Sequence, residues 1–381
     1  MANDILHLVL DSNVLHEEGL NSNDMKLLKK YTDKGLIRIH LPSLVAKEFV
    51  TRKSNNLIDG LEKSKQSLDS VERDARGISE ELLECFDELK KKIINAKNDI
   101  GNKPQECFDR WVQDFKVSIV DTIPDSVNEV FNDYFLGKGV FRKPKAREDI
   151  PDAFICVTII NLLSEFGSIV VVNKDKAFRK HLSEYDKIQV LQSLREVFSL
   201  KGIDLLEDES MLDLIHSAEF VSALSQYLRQ RPDAFEYVYL HEDEISKIAL
   251  IGQRIYGASI EVENYNDIAN ASISDARSID EHTYSALLSF DMNVNINYIT
   301  DYGTFLDIER THGRRPEMES MNGDGICDVS ENALTKFYGD LTVKFKKNRE
   351  EIDKSDIVRF LLDEDICVQF EIKNIEIIEM L

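Results

Sequence analysis

Four short apolar runs frame the first half of the chain: Ile5–Leu10, Leu36–Leu41, Ser168–Val172 and Ile188–Leu191. Each suits a strand buried on both faces, and helical patterns separate them, so the alternation predicts an α/β layered domain with a parallel sheet. Well over a hundred residues lie between the second run and the third. From about Asn55 to Ala96 this insertion is free of proline, and Leu57, Leu61, Leu68, Val71, Ile78, Leu82, Leu83, Phe86 and Leu89 recur at helical intervals. The spacing predicts one long helix or a helical hairpin, with Gly77 as the break. A further helix is expected over Glu106–Phe115, and Pro124–Phe135 with Gly137-Lys138-Gly139 reads as a mobile loop.

The period changes in the second half. Lys201 to Lys247 is helical and acidic, as in a connector packed against both sides. Beyond it Phe290, Met292, Val294, Ile296 and Tyr298 alternate with polar residues, as do Leu341, Val343 and Phe345, and Ile366, Val368, Phe370 and Ile372. Alternation of this kind marks antiparallel strands with one wet face. The expected organisation is an α/β domain over 1–195 with a helical insertion at about 55–135, a helical acidic connector over 196–247, and an α+β domain with an antiparallel sheet over 248–381.

Composition alters this picture at three points. No apolar run approaches the ~18 residues of a membrane span, and the first ten residues lack the features of a signal peptide, so a cytoplasmic protein with no membrane partner is expected. The five cysteines, Cys85, Cys107, Cys156, Cys327 and Cys367, are scattered, with no zinc spacing; free thiols and no structural zinc are expected. The net charge of −23 opposes nucleic-acid binding on average. The average conceals an asymmetry, because residues from Lys201 onward hold 17 Lys+Arg against 37 Asp+Glu, leaving 30 and 33 in the first 200. A basic surface is therefore feasible in the N-terminal part, from the run Arg142, Lys143, Lys145 and Arg147 or from the lysines between Lys90 and Lys97. The alternative for either is a solvated face.

The candidate chemistry is acidic. Asp11 ends the first strand, where parallel sheets open their crevices; taken alone it would serve as a helix N-cap. Glu48 shares a helical face with Leu44 and Val45, which leans it inward, against the alternative of an ion pair with Arg52. Asp149-Ile150-Pro151-Asp152 opens a helix apolar almost all round, hence buried, with its start opening into the interior crevice, against the alternative that Asp149 is merely the N-cap and Asp152 a first-turn acid compensating the dipole. Asp175 follows the third strand and either joins the others or caps the helix holding Phe178. Four carboxylates on one sheet edge raise one another's pKa unless a cation neutralises them, and hard oxygen ligands favour Mg²⁺ or Mn²⁺.

Asp11-Ser12-Asn13 after a strand, Glu48 in an early helix, Asp152 opening an apolar helix and Asn173-Lys174-Asp175-Lys176-Ala177-Phe178 after a strand resemble the acidic signature of PIN-domain ribonucleases. The last motif departs from the family's usual Thr-x-Asp-x-Asp-Phe at Asn173 and Ala177. The resemblance covers roughly residues 3–195 and is to bacterial PIN-like proteins with an extra C-terminal domain. It implies a PIN-like α/β/α fold and metal-dependent endonucleolytic cleavage, most readily of single-stranded RNA. Asp11, Asp152 and Asp175 would coordinate Mg²⁺ or Mn²⁺, and Glu48 a second ion or its water. Asn13, Asp149 and Asn173 would support those ligands. A homo-oligomer or a regulatory protein partner is also compatible with this reading.

Rival readings are fewer. A haloacid-dehalogenase-like phosphatase needs a second Asp where Asn13 stands, and no phosphate-binding glycine loop follows a predicted strand. Gly323-Asp324-Gly325 lacks the register of a calcium loop. A PIN-like domain that binds nucleic acid or protein without cutting is the rival from another class, and the acidic C-terminal part as an internal inhibitor of the basic loop is a third.

Overall fold

The computed structural model describes residues 5–75, 79–124, 126–200, 209–230, 238–239, 255–261, 268–312, 314 and 316–380. Gly77 and much of the acidic connector lie outside the described residues. The chain forms two compact units, Met1–Leu205 and Leu206–Leu381.

The first unit runs β1 (Leu6–Leu10), α1 (Ser12–Glu18), α2 (Asn23–Asp33), β2 (Ile37–Pro42), α3 (Ser43–Ala75), α4 (Glu80–Ile100), α5 (Lys103–Asp114), β3 (Ser118–Val120), α6 (Ser126–Leu136), α7 (Ile150–Phe166), β4 (Ile169–Val172), α8 (Lys176–Leu182), β5 (Ile188–Leu191) and α9 (Leu194–Phe198). The strands form one parallel sheet in the order β3-β2-β1-β4-β5. Leu8, Val9 and Leu10 of β1 and the whole of β4 are buried, because helices cover both faces of the sheet. The chain leaves β1 toward β2 on one side, and β4 flanks β1 on the other. Order reverses there, so the crevice beyond the carboxyl ends of β1 and β4 is where an α/β sheet accepts a ligand.

Two elements differ from the pattern-based expectation. β3 was not foreseen, since three half-exposed residues carry no periodic signal. Residues read as a mobile loop form the helix α6, which places Val130 in the core and leaves Phe131 and Phe135 in solvent. The insertion is a hairpin: α3, of 33 residues, continues without interruption from the Glu48 turn into one arm, and α4 returns.

At the opposite end of the sheet His7 and His40 lie ring on ring against Phe166, with His7 Nδ1 and His40 Nε2 2.9 Å apart. Burial, then His7, then Arg38 push His40 down to about 4. His7 is lowered by burial and Arg38, against a smaller opposing effect of Glu165. These rings stay neutral in the folded state while the unfolded chain takes up protons near pH 6.5. Stability from this pair is thus complete above about pH 6.5 and is lost as pH falls toward 4. Urea melts across that window should show the decline, and His40→Leu should flatten it; an unchanged slope would mean that other groups govern the acid response.

The second unit holds helices α10 (Glu209–Ile215) and α11 (Ala218–Leu228) and strands β6 (Val238–Tyr239), β7 (Ile255–Glu261), β8 (Ala269–Ser278), β9 (Thr283–Asp301), β10 (Glu317–Met321), β11 (Ile326–Phe345) and β12 (Ile366–Met380). They form one antiparallel sheet ordered β10-β11-β9-β7-β6, with β12 on β11 and β8 on β9. Phe290, Met292, Val294, Ile296 and Tyr298, the alternating set of β9, are buried, and Leu214, Phe220 and Leu224 of α10 and α11 join them in one core. Those helices thus belong to the second unit's own core.

Candidate functional site

The carboxyl end of β1 delivers Asp11 into the crevice. Its amide donates to the Val172 carbonyl of β4 at 3.2 Å, which ties the two strand ends together. Asp11 occupies the N-cap position of α1 yet its side chain makes no cap bond. Instead Oδ2 accepts from Asn13 Nδ2 at 3.2 Å, and Asn13 Oδ1 accepts from Arg52 at 2.7 Å. Arg52, one turn beyond Glu48 on α3, therefore orients Asn13; among the described residues Glu48 has no ion-pair partner. Glu48 itself is exposed, at the rim of the crevice rather than leaning into the core.

Asp152 stands in the first turn of α7, just past Pro151, and accepts no hydrogen bond among the described residues. Its carboxyl is pushed up to about 6 by burial, then by Asp11, Asp175, Glu48 and Asp149 in turn. Asp152 thus lies within electrostatic reach of the four other acids. Burial raises Asp11 also, helped by Glu48 and opposed by hydrogen bonds from Ser12 and Asn13.

Asp175 performs two tasks. Its Oδ1 caps α8 by accepting from the amides of Ala177 and Phe178 at 2.7 and 2.9 Å, while Oδ2 faces the Arg142 guanidinium at 3.4 Å. The buried Asn173 accepts from the Asp175 amide at 2.6 Å and fixes the turn. Asp149 does not cap α7 with its side chain. It is buried and accepts from the Arg142 amide at 3.0 Å, with the Arg142 guanidinium 3.7 Å away.

The basic run accordingly divides. Arg142, itself exposed, reaches over the acidic crevice to Asp149 and Asp175. Lys143, Lys145 and Arg147 are exposed; Lys143 lies 4.0 Å from Glu148, and Lys145 sits 6.0 Å over the exposed Phe135 ring. Gly137, at φ +64°, lets Pro144 pack so close that a Cβ would lie 2.7 Å from the proline ring, which fixes the loop against α6. Phe131 and Phe135, exposed one turn apart beside these cations, were missed in the sequence. Two phenylalanines four apart next to a basic run were the available signal.

The donor set suits a hard divalent cation: carboxylate oxygens in excess, mutually repelling, one of them unpartnered and half-protonated near pH 6. Among the described residues no three His, Cys, Asp or Glu side chains are drawn tightly enough to enclose an ion. Among the described residues Arg142 is the only cationic group at ion-pair distance from Asp149 and Asp175.

A family model described as PIN domain matches residues 8–178. The chain carries a PIN domain. Asp11, Glu48, Asp152 and Asp175 all lie within the matched span, which ends on Phe178. Searches of curated proteins and of solved structures found no match. PIN domains are generally nucleases, and the parallel sheet with flanking helices is the fold expected of one.

Proposed function

We propose that the PIN domain is a metal-dependent endonuclease acting on single-stranded RNA. The observation that carries this reading is Asp152: a carboxylate without a hydrogen-bond donor, held at a buried helix start with Asp11, Asp175 and Glu48 around it. A protein retains so unfavourable a cluster where function needs it. Asp11, Asp152 and Asp175 would hold Mg²⁺ or Mn²⁺, with Glu48 at the open rim. When bound, such an ion makes water a nucleophile near neutral pH and offsets charge on the leaving oxygen. The chain's own residues do the rest. Arg52 and Asn13 orient Asp11, Asn173 and the α8 amides orient Asp175, and Asp149 holds the basic loop at the crevice. Lys143, Lys145 and Arg147 attract the phosphate backbone, and Phe131 and Phe135 offer flat apolar faces to unstacked bases.

Cleavage of single-stranded RNA by the purified chain should require Mn²⁺ or Mg²⁺, stop with chelator and vanish in Asp11→Asn. Inactivity of the wild type on RNA and DNA panels with either ion would reject the reading. Substrate guidance has its own test. Lys143→Ser/Lys145→Ser/Arg147→Ser should weaken RNA binding regardless of sequence and lower the salt slope by up to about 2, at ~0.7 per lost phosphate contact on single strands. An unchanged slope would make the loop a solvated surface. Arg142 is kept out of this variant because its removal would also uncover Asp149 and Asp175.

A second reading draws on that same arginine. With Arg142 as permanent counter-ion of the cluster, the domain would bind nucleic acid without cutting it. Mn²⁺ titration followed by electron paramagnetic resonance separates the two, since the non-cutting domain would take up no ion at micromolar concentration.

A further inference from the structure

The α3–α4 hairpin leaves a broad apolar face open. Leu83, Phe86, Lys90 and Ile93 of α4 form the half-buried seam against α3. Within it Lys90 pairs with Asp69 at 2.7 Å and with Glu72, and Lys97 pairs with Glu62. Two of the lysines that looked available for phosphate are thus neutralised inside the hairpin. Yet no residue of α4 is buried.

At about 100° per residue, Leu82, Cys85, Leu89 and Ala96 fall on one flank of the seam. Leu57, Ser64 and Val71 fall on the flank of α3 that points the same way in an antiparallel pair. Leu57, Val71, Leu82 and Leu89 are 43, 50, 43 and 39% exposed. The other face carries Asn55, Gln66, Asp87 and Lys91, interrupted by Ile94.

Charge on α4 is polarised as well. Glu80, Glu81, Glu84, Asp87 and Glu88 precede its midpoint without a base among them, and Lys90, Lys91, Lys92 and Lys97 follow. A helix with this polarity is complementary to an antiparallel copy of itself. A two-fold axis at the level of Lys90 sets Glu88 opposite Lys92 of the second copy, twice over, and lays the acidic half of each helix along the other's second half, where Lys91 and Lys92 are the bases not paired within the hairpin.

We propose that this apolar face is covered by the same face of a second copy of the chain, α4 lying antiparallel on α4 in a four-helix arrangement of two hairpins. The dimensions permit it. An arm of 21 residues is about 30 Å long and two helices are about 20 Å across, so the pairing would bury roughly 600 Å² per partner, or about 1,200 Å² in all. That equals the lower limit of specific, stable interfaces and clears the size of incidental contacts.

Sedimentation equilibrium of the full chain should give a particle of twice the chain mass that dissociates in the micromolar range. Leu82→Glu/Leu89→Glu should weaken association by about a hundredfold or more, since each charge would be placed in a desolvated seam. Glu88→Lys should weaken it about tenfold, and Glu88→Lys/Lys92→Glu should restore it, because the exchanged charges again oppose their mates. Helix content by circular dichroism should be that of the wild type in all; if the Leu82/Leu89 variant loses it, the Glu88 and Lys92 pair decides. A wild type monomeric throughout overturns the proposal. So does a dimer indifferent to Leu82→Glu/Leu89→Glu with helicity intact, or a double charge exchange that fails to restore association.

Discussion

Asp152→Asn should lose metal-dependent RNA cleavage by about a thousandfold or more while making the metal-free protein more stable. The amide matches the carboxylate in volume and removes one ligand charge, so the loss of activity is not a loss of shape. The gain follows from the cost of the native group. Burial and four neighbouring acids raise its folded-state pKa from 3.8 to about 6. The folded protein therefore holds a proton that the unfolded chain releases, and stability declines as pH rises from about 4 to about 6. At pH 7 the whole penalty is present. Discounted for partial exposure, it is about 1–2 kcal/mol, which Asn would relieve. Below pH 4 the two proteins should melt alike. Excess Mn²⁺ should reverse the order at pH 7, since an ion that binds only the folded wild type stabilises it by mass action. Metal affinity should also fall below about pH 6, where binding must displace the proton. If Asp152→Asn destabilises the metal-free protein at pH 7, the carboxylate is structural and the assignment of the site is wrong.

Gly339→Ala should damage the second unit more than any ordinary surface change. Gly339 lies on β11 where the pairing with β12 shifts register between Tyr338 and Gly339. A Cβ there would stand 2.2 Å from the Glu371 carbonyl oxygen and 2.6 Å from the Phe370 ring. Backbone oxygen cannot turn aside as a long side chain can, so β12 must move off β11. Such overpacking costs on the order of 3 kcal/mol or more. Two thermal transitions are expected for the two units, the second unit's lowered and the PIN domain's preserved. Equal transitions for variant and wild type would show that the strands yield without cost.

Much of the scaffold was legible because burial on two faces writes itself as continuous apolar runs. β1, β2, β4 and β5 lie where those runs lie, and α7 is the apolar helix that Asp149 and Pro151 announced. Alternation did the same for β9, β11 and β12. What escaped depends on contacts distant in sequence. α6 was read as a loop because Pro124 and the Gly137–Gly139 segment bracket it, and its single buried stripe around Val130 is too narrow to register. Asp175 was expected either to cap α8 or to face the crevice; its two oxygens divide the tasks, which local pattern cannot express. Arg142 meets Asp149 and Asp175 from a loop in which Pro144 packs closely on Gly137, an approach that leaves no periodicity in the sequence. The alternative for Glu48, an ion pair with Arg52, is not formed for a similar reason, since Asn13, far away in the chain, takes the arginine.

The pairing of β1 with β4 sets a schedule for synthesis. Leu8, Val9 and Leu10 meet Val170, Val171 and Val172 directly, yet the whole hairpin, α5, β3, α6 and α7 are made between them. A nascent chain that has emerged through α4 already carries Asp11 and Glu48 but holds neither Asp152 nor Asp175. Closing so long a loop costs little more than closing a short one, because the entropy grows only with the logarithm of length. It cannot begin, however, until β4 has left the ribosome. The hairpin, built from local contacts, can fold early, whereas the acidic crevice waits for β4 and is followed only by α8, β5 and α9. A translating ribosome threaded on messenger RNA thus carries an incomplete domain for most of its passage along the message, and the acidic crevice closes only after residue 175 is free.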